Sequence, residues 1–356
     1  MGDDGFSKDD EVLDTIISAM ECKRRSTSEV RPFPGSFPPE MLAHIASFVE
    51  EDVLTSVNLF FSQVTRPRRF RSISISHGET SENFLKYLAQ VPHSIGRLEA
   101  LHHFVRKIQV RRECKISGYI FFQAIGNLSC LQEIDWGGVL PSRPSETVAT
   151  TTTLLLRHIR FQTIDSDTGD IDSVASLSRQ SAHSIQVLQI PSKWLAKILD
   201  VTFPLLTTFT TTTPISTDLF ESAIPVLSNC SRLYLEFDSP GIPDSVTRAI
   251  CGLHSLRELK LTAGCNTDLE PHVLNGLGRL ERLFLCSRAV PTYKVRCYTN
   301  SDSDWYFKYL YDYHVIPCSQ RLTSLAYMYA YGASYRLTVD GWVCEGWITL
   351  EDCCRI

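Results

Sequence analysis

The stretch DSDTGDIDS, 165 to 173, sets four carboxylates close together. That is the kind of oxygen donor set a hard cation such as calcium takes. The ligand order of an EF-hand and its closing glutamate are absent, so the stretch reads as a solvated polar loop with no metal. Twelve cysteines stand at 22, 114, 130, 230, 251, 265, 286, 297, 318, 344, 353 and 354, none in a Cys-x-x-Cys pair, so zinc spacing is missing. They read as reduced thiols of a cytoplasmic or nuclear protein. His102 and His103 are adjacent, so their side chains diverge and make a poor two-ligand site. No GxSxG elbow, HExxH, Walker A loop or GxGxxG occurs. These residues predict no catalytic site and no cofactor, which leaves recognition as the chemistry to look for.

The whole chain fits that class. Its 356 residues are 43% hydrophobic and 21% charged, the balance of a globular protein. A net charge of −5 argues against a dedicated nucleic-acid binder. No apolar span is long enough for a membrane helix, and the segment 1–30 holds no apolar run of signal-peptide length. Arg66, Arg68, Arg69 and Arg71, with Arg106, Lys107, Arg111 and Arg112, make one region locally basic. Such a cluster is either a solvated face or a contact for an acidic or phosphorylated partner.

The elements that position these residues repeat. LHSLRELKLTA and LGRLERLFLCS both read L-x-x-L-x-x-L-x-L, with Leu253, Leu256, Leu259 and Leu261 in the first and Leu277, Leu280, Leu283 and Leu285 in the second. Weaker copies precede them. The key apolar residues of the series are Ile108, Ile134, Ile159, Leu188, Phe209, Leu233, Leu259 and Leu283. Seven steps lead from Ile108 to Leu283, a mean of about 25 residues each, inside the leucine-rich-repeat range. Each L-x-L is a strand with two residues inward and one outward. Amphipathic segments 81–90, 117–126, 171–182, 193–200, 217–228, 244–252 and 268–278 are predicted helices between strands. The predicted fold is α/β: a solenoid with parallel strands on its concave side and helices on its convex side. SISIS, 72 to 76, is read as the first strand, and the Thr-rich runs 147–153 and 207–213 are read as repeat segments. The outward file of the concave face is then Gln109, Asp135, Arg160, Gln189, Tyr234, Lys260 and Phe284. Tyr234, Lys260 and Phe284 are the predicted target-binding patch, two exposed aromatics flanking a cation.

The repeats are preceded by FPPEMLAHIASFVEEDVLTSVNLFFSQV, 37 to 64. Pro38 and Pro39 suit the first turn of a helix, and Glu40 sits at its positive end. Apolar residues at 41, 42, 45, 48 and 49 make one face. Asp52 caps a second helix with a stripe at 53, 57, 60, 61 and 64. This pair resembles an F-box, in particular the F-box-like proteins abundant in mushroom-forming fungi. The repeats behind it resemble the irregular ones of F-box/leucine-rich-repeat proteins. The F-box likeness covers residues 34 to 76. It implies that Pro38, Pro39, Glu40, Leu42 and Ile45 of the first helix, and Val53, Leu54 and Val57 of the second, dock on a Skp-type adaptor and through it a cullin. The chain would be the substrate-recognition subunit of a ubiquitin ligase, with a target protein on the solenoid and neither nucleic acid nor membrane as partner. Phe37 stands where the family usually has Leu, and NLFFSQV departs from the family's second helix. The alternative is a non-ligase scaffold in which the helical pair is only an N-terminal cap.

Residues 289 to 356 have another texture, with ten of the thirteen Tyr and three of the five Trp. RLTVDGWVCEGWITL, 336 to 350, predicts a hairpin with Asp340-Gly341 in a type I′ turn, and CEGW offers a second turn. The segment is read as an aromatic C-terminal β-hairpin cap over the last repeat. The predicted organisation is an acidic segment 1–33, an F-box-like module 34–71, a solenoid 72–288 and the cap 289–356.

Overall fold

The computed structural model describes residues 71–76, 83, 85, 86, 88, 89, 104–111, 118–137, 155–162, 171–264, 276–287 and 306–347. The chain divides into two units, Met1–Thr65 and Arg66–Ile356, and the described residues all belong to the second. The helical pair, with all eight predicted adaptor-binding residues, lies outside them. So do His102-His103, the Thr-rich run 147–153, residues 165–170 of the carboxylate stretch and most of the segment 268–278.

Twelve strands form one sheet in strict chain order. They are β1 (Ser72–Ile75), β2 (Lys107–Val110), β3 (Glu133–Trp136), β4 (His158–Phe161), β5 (Val187–Ile190), β6 (Thr208–Thr211), β7 (Arg232–Glu236), β8 (Glu258–Ala263), β9 (Arg282–Ser287), β10 (Tyr327–Ala330), β11 (Ala333–Thr338) and β12 (Gly341–Trp347). The first ten are parallel, and β10, β11 and β12 close as an antiparallel meander. Parallel neighbours taken in sequence order need right-handed crossovers, which put the described helices between the strands on one face. Those connections carry α1 (Gly118–Gly126), α2 (Ile171–Gln180), α3 (Ser192–Leu195), α4 (Thr217–Leu227) and α5 (Asp244–Cys251). The result is a mixed α/β, solenoid-like array.

The eight key residues of the repeat are direct register partners. Ile108 pairs with Ile134, then Ile159, Leu188, Phe209, Leu233, Leu259 and Leu283 follow, strand by strand. Ile73 extends this file at one end and Met328 at the other. From Ile108 to Met328 every member is at most 1% exposed. Burying each such side chain contributes about 1.5–3 kcal/mol, so the file forms the spine of the core.

In the turns ahead of β3, β6, β7, β8, β9 and β10 the second apolar residue donates its N–H to the carbonyl of the first. Examples are Leu131 to Leu128 at 3.0 Å, Cys230 to Leu227 at 2.9 Å, Leu256 to Leu253 at 3.0 Å and Leu325 to Leu322 at 3.0 Å. Between units, one carbonyl ahead of each strand accepts two N–H groups of the next unit, as Arg257 O does from Glu281 N (2.7 Å) and Arg282 N (3.0 Å). These backbone groups ahead of the strands are therefore paired with one another.

Helices pack on the strands through aromatic edges. Phe121 of α1 meets Trp136 at 4.4 Å, Trp194 of α3 meets Phe161 at 5.1 Å, and Phe220 of α4 meets Phe237 at 5.9 Å, each steeply inclined, edge to face. Ser216 caps α4 by accepting from Leu219 N at 3.4 Å. Residues 83, 85, 86, 88 and 89 are helical, and Asn127 Nδ2 ties them to α1 by donating to Leu88 O at 2.9 Å.

The C-terminal part corrects two turns. Among the described non-glycine residues only Tyr331 has positive φ, at 48°, and Gly332 follows at 103°. This Tyr-Gly dipeptide makes the two-residue loop between β10 and β11, with Ala330 opposite Ala333. Positive φ at both central positions is the type I′ requirement, so the primed turn lies here. Between β11 and β12 the loop is Val339-Asp340, with Gly341 (φ 116°) pairing Thr338. Neither loop residue has positive φ, so Asp340-Gly341 is not a type I′ turn. CEGW makes no turn either. Glu345 is an extra residue in β12 where Ser334 pairs Gly346 and Tyr335 pairs Cys344, a β-bulge that Gly346 (φ 105°) permits. Ahead of β10, residues 306–310 are helical, Tyr311–Val315 is a π-turn and α6 (Ile316–Arg321) follows. Pro317 lacks an N–H and crowds the preceding turn, which accounts for the wider winding.

Candidate functional site

The face opposite the helices carries two long files of side chains. One runs Lys107, Glu133, His158, Val187, Thr208, Arg232, Glu258, Arg282, Tyr327 and the other Gln109, Asp135, Arg160, Gln189, Thr210, Tyr234, Lys260, Phe284, Tyr329. Strand parity puts both files outward because the residues between them are the core spine. The predicted outward file is thus brought together in register, and Tyr234, Lys260 and Phe284 are direct neighbours on β7, β8 and β9.

The face is polar at the β2–β4 end. Glu133 holds Lys107 Nζ at 3.5 Å and His158 Nδ1 at 3.1 Å. Asp135 accepts from Gln109 Nε2 at 3.5 Å and Gln162 Nε2 at 3.3 Å. At the β7–β9 end Glu258 is the hub. Its side chain is 12% exposed and lies between Arg232 Nε at 3.9 Å and Arg282 Nη1 at 3.5 Å. Tyr234 Oη donates to it at 2.7 Å. Burial, and then the hydrogen bond and charge of Glu258, push the Tyr234 phenol well above its ordinary range. Tyr234 therefore stays a neutral donor.

One predicted site residue is placed differently. Phe284 was expected as an exposed aromatic, yet it is 2% exposed. It forms a second buried cluster with Cys286, Tyr327 and Tyr329 on the outward face. The Arg282 guanidinium lies 5.4 Å from the Phe284 ring centre and 5.3 Å from that of Tyr327. Tyr327 and Tyr329 belong to β10, a strand whose unit the repeat pattern did not reveal. Its signal was present in Leu322, Leu325 and Met328, which keep the i, i+3, i+6 spacing of the other units. Tyr234 and Lys260 remain half-buried and reachable, and Arg232 is exposed, so these three are the accessible core of the patch.

Glu258→Ala removes the acceptor of the Tyr234 hydroxyl and an ion-pair partner of Arg232 and Arg282, and the expected cost is about 1–3 kcal/mol of stability. Chemical denaturation of the variant beside wild type measures it.

The described residues hold no group of three or more His, Cys, Asp or Glu suited to a metal, and no helix among them is long and apolar enough to cross a membrane. What the face offers is a lattice of fixed charges, donors and aromatic edges on a rigid sheet. No family model matches the chain, and no curated protein matches it.

Proposed function

We propose that the chain is an adaptor-linked recognition subunit: the N-terminal helical pair holds a Skp-type adaptor, and the outward face of the sheet holds a target protein. The observation that carries the recognition half is the pair of uninterrupted side-chain files across the parallel strands. A ligand crossing them meets preorganised groups at about 4.8 Å intervals, which lowers the ordering cost of binding. The adaptor half rests on the F-box resemblance of residues 34 to 76, with Pro38, Pro39, Glu40, Leu42, Ile45, Val53, Leu54 and Val57 as contacts. Catalysis in such a ligase is by proximity, bringing a target lysine to a ubiquitin-loaded enzyme. The aromatic C-terminal part acts as the cap of the array, its helix and meander covering the last unit.

Co-purification with a eukaryotic Skp adaptor tests this. Wild type is expected to retain the adaptor, and the Leu42→Asp, Ile45→Asp variant to lose it, because two carboxylates are forced into an apolar contact. Circular dichroism checks that the repeats of the variant stay folded. Wild type that never retains the adaptor refutes the adaptor half.

The departures at Phe37 and in NLFFSQV favour a second reading, a scaffold whose helical pair caps the array. It keeps the target surface and predicts binding of a protein without an adaptor.

A further inference from the structure

We propose that the rim of the sheet at β1–β4 is a docking surface for an acidic polypeptide segment with carboxylates at alternate residues. The rim position is the residue just ahead of each strand. It is occupied by Arg71 before β1, Arg106 before β2, Gln132 before β3 and Arg157 before β4. These residues are stitched in sequence: Arg71 O accepts from Arg106 N at 2.9 Å, Arg106 O from Gln132 N at 2.8 Å, and Gln132 O from Arg157 N at 2.7 Å. The backbone thus fixes three arginines and an amide on one line.

All three arginines are exposed. Among the described residues none of their guanidiniums has an ion pair or a side-chain hydrogen bond. The acids nearest along the sheet are already engaged, Glu133 by Lys107 and His158, Asp135 by Gln109 and Gln162. Arg111, exposed at the end of β2, and Arg160, half-buried on β4, add charge of the same sign. Farther along, the same rim position is neutral at Gln186, Thr207 and Ser231, and Arg257 is paired with Glu281 at 2.5 Å. In a chain of net charge −5, only this end of the described rim leaves a row of cations unneutralised.

The spacing selects the ligand. Three strand intervals span about 14 Å, and alternate residues of an extended peptide recur about every 6.8 Å. Carboxylates at positions i, i+2 and i+4 therefore match the distance from Arg71 to Arg157, with guanidinium–carboxylate pairing as the contact. A nucleic acid is the less favoured ligand for a chain whose net charge is −5.

The inference is independent of adaptor binding, and its test contains no adaptor. The probe is a fluorescein-labelled dodecapeptide of alternating Glu and Ser, titrated with the full chain and read by fluorescence anisotropy. The variant Arg71→Glu, Arg106→Glu, Arg157→Glu is expected to bind at least about tenfold more weakly than wild type. The control Lys193→Glu, Lys197→Glu, Arg248→Glu, with the same change in net charge, is expected to stay within about twofold, and wild-type binding to weaken as salt rises. If the charge-reversed rim unfolds, Arg71→Gln, Arg106→Gln, Arg157→Gln replaces it with the same direction of effect. Equal losses in rim and control variants, or no peptide binding by wild type at low salt, overturn the proposal. So does tighter binding to a single-stranded oligodeoxynucleotide of equal charge or to phosphatidylserine vesicles.

Discussion

Leu259→Asp is expected to unfold the array around β8, while Lys260→Asp, one residue further on, leaves it folded. Leu259 is fully buried in the spine between Leu233 and Leu283, whereas Lys260 lies on the outward face between Tyr234 and Phe284. Losing a buried leucine costs about 2–5 kcal/mol, and an unpaired carboxylate in its place adds several more unless it protonates. Against a net stability of about 5–15 kcal/mol, the first exchange removes most of what holds a domain. In a stacked array the damage passes to neighbouring units, which share the same core. Thermal melting followed by circular dichroism, with limited proteolysis, separates the two variants. A Leu259→Asp protein that melts with wild type would mean the strand faces inward with the other parity.

A second large effect is expected in alkali. Cys230 occupies the second apolar position of its unit and Cys318 lies in α6, both at most 2% exposed. Burial pushes both thiols from their ordinary 9.0 up to about 12. Unfolded thiols release protons above pH 9 that the folded ones keep, so their stability contribution is whole below pH 9. It declines as pH rises and is lost once the folded thiols ionise near 12. The slope is about 1.4 kcal/mol per pH unit for each thiol. The half-buried phenol of Tyr234 and the buried one of Tyr335 are pushed in the same direction and steepen the fall. Urea denaturation at pH 8 and pH 10 should show a loss of about 3 kcal/mol from the two thiols. It should shrink in Cys230→Ala, Cys318→Ala, whatever that variant's stability at pH 8. An equal loss in both proteins would place the alkaline sensitivity elsewhere.

The spine from Ile108 to Leu283 was legible because one apolar residue per unit, recurring at a nearly constant interval, has a single physical solution: a register file buried under helices. Outward residues followed from parity alone. Two of the misreadings share a cause. Met328 stands almost two unit lengths after Leu283, so the beat broke and β10 was missed. Without β10, Phe284 had no visible neighbours, and parity alone made it exposed. The primed turn was missed because Tyr331 takes the positive φ, a conformation that composition assigns to Gly, Asn or Asp. Asp340-Gly341 carried the stronger local signal, but Gly341 serves instead as the positive-φ residue that ends a two-residue loop. The rim arginines were visible as a basic run at Arg71 and Arg106. Arg157, two strands further along, joins them only through the sheet.

Affinity purification of three forms side by side tests the proposed function most directly. These are wild type, Leu42→Asp with Ile45→Asp, and Arg232→Ala with Tyr234→Ala and Lys260→Ala. Wild type is expected to carry both a Skp adaptor and a target protein. The helical-pair variant should keep the target and lose the adaptor, and the sheet-face variant should keep the adaptor and lose the target. A sheet-face variant that retains every target of wild type would contradict recognition by this face, and a wild type without adaptor would contradict the ligase role.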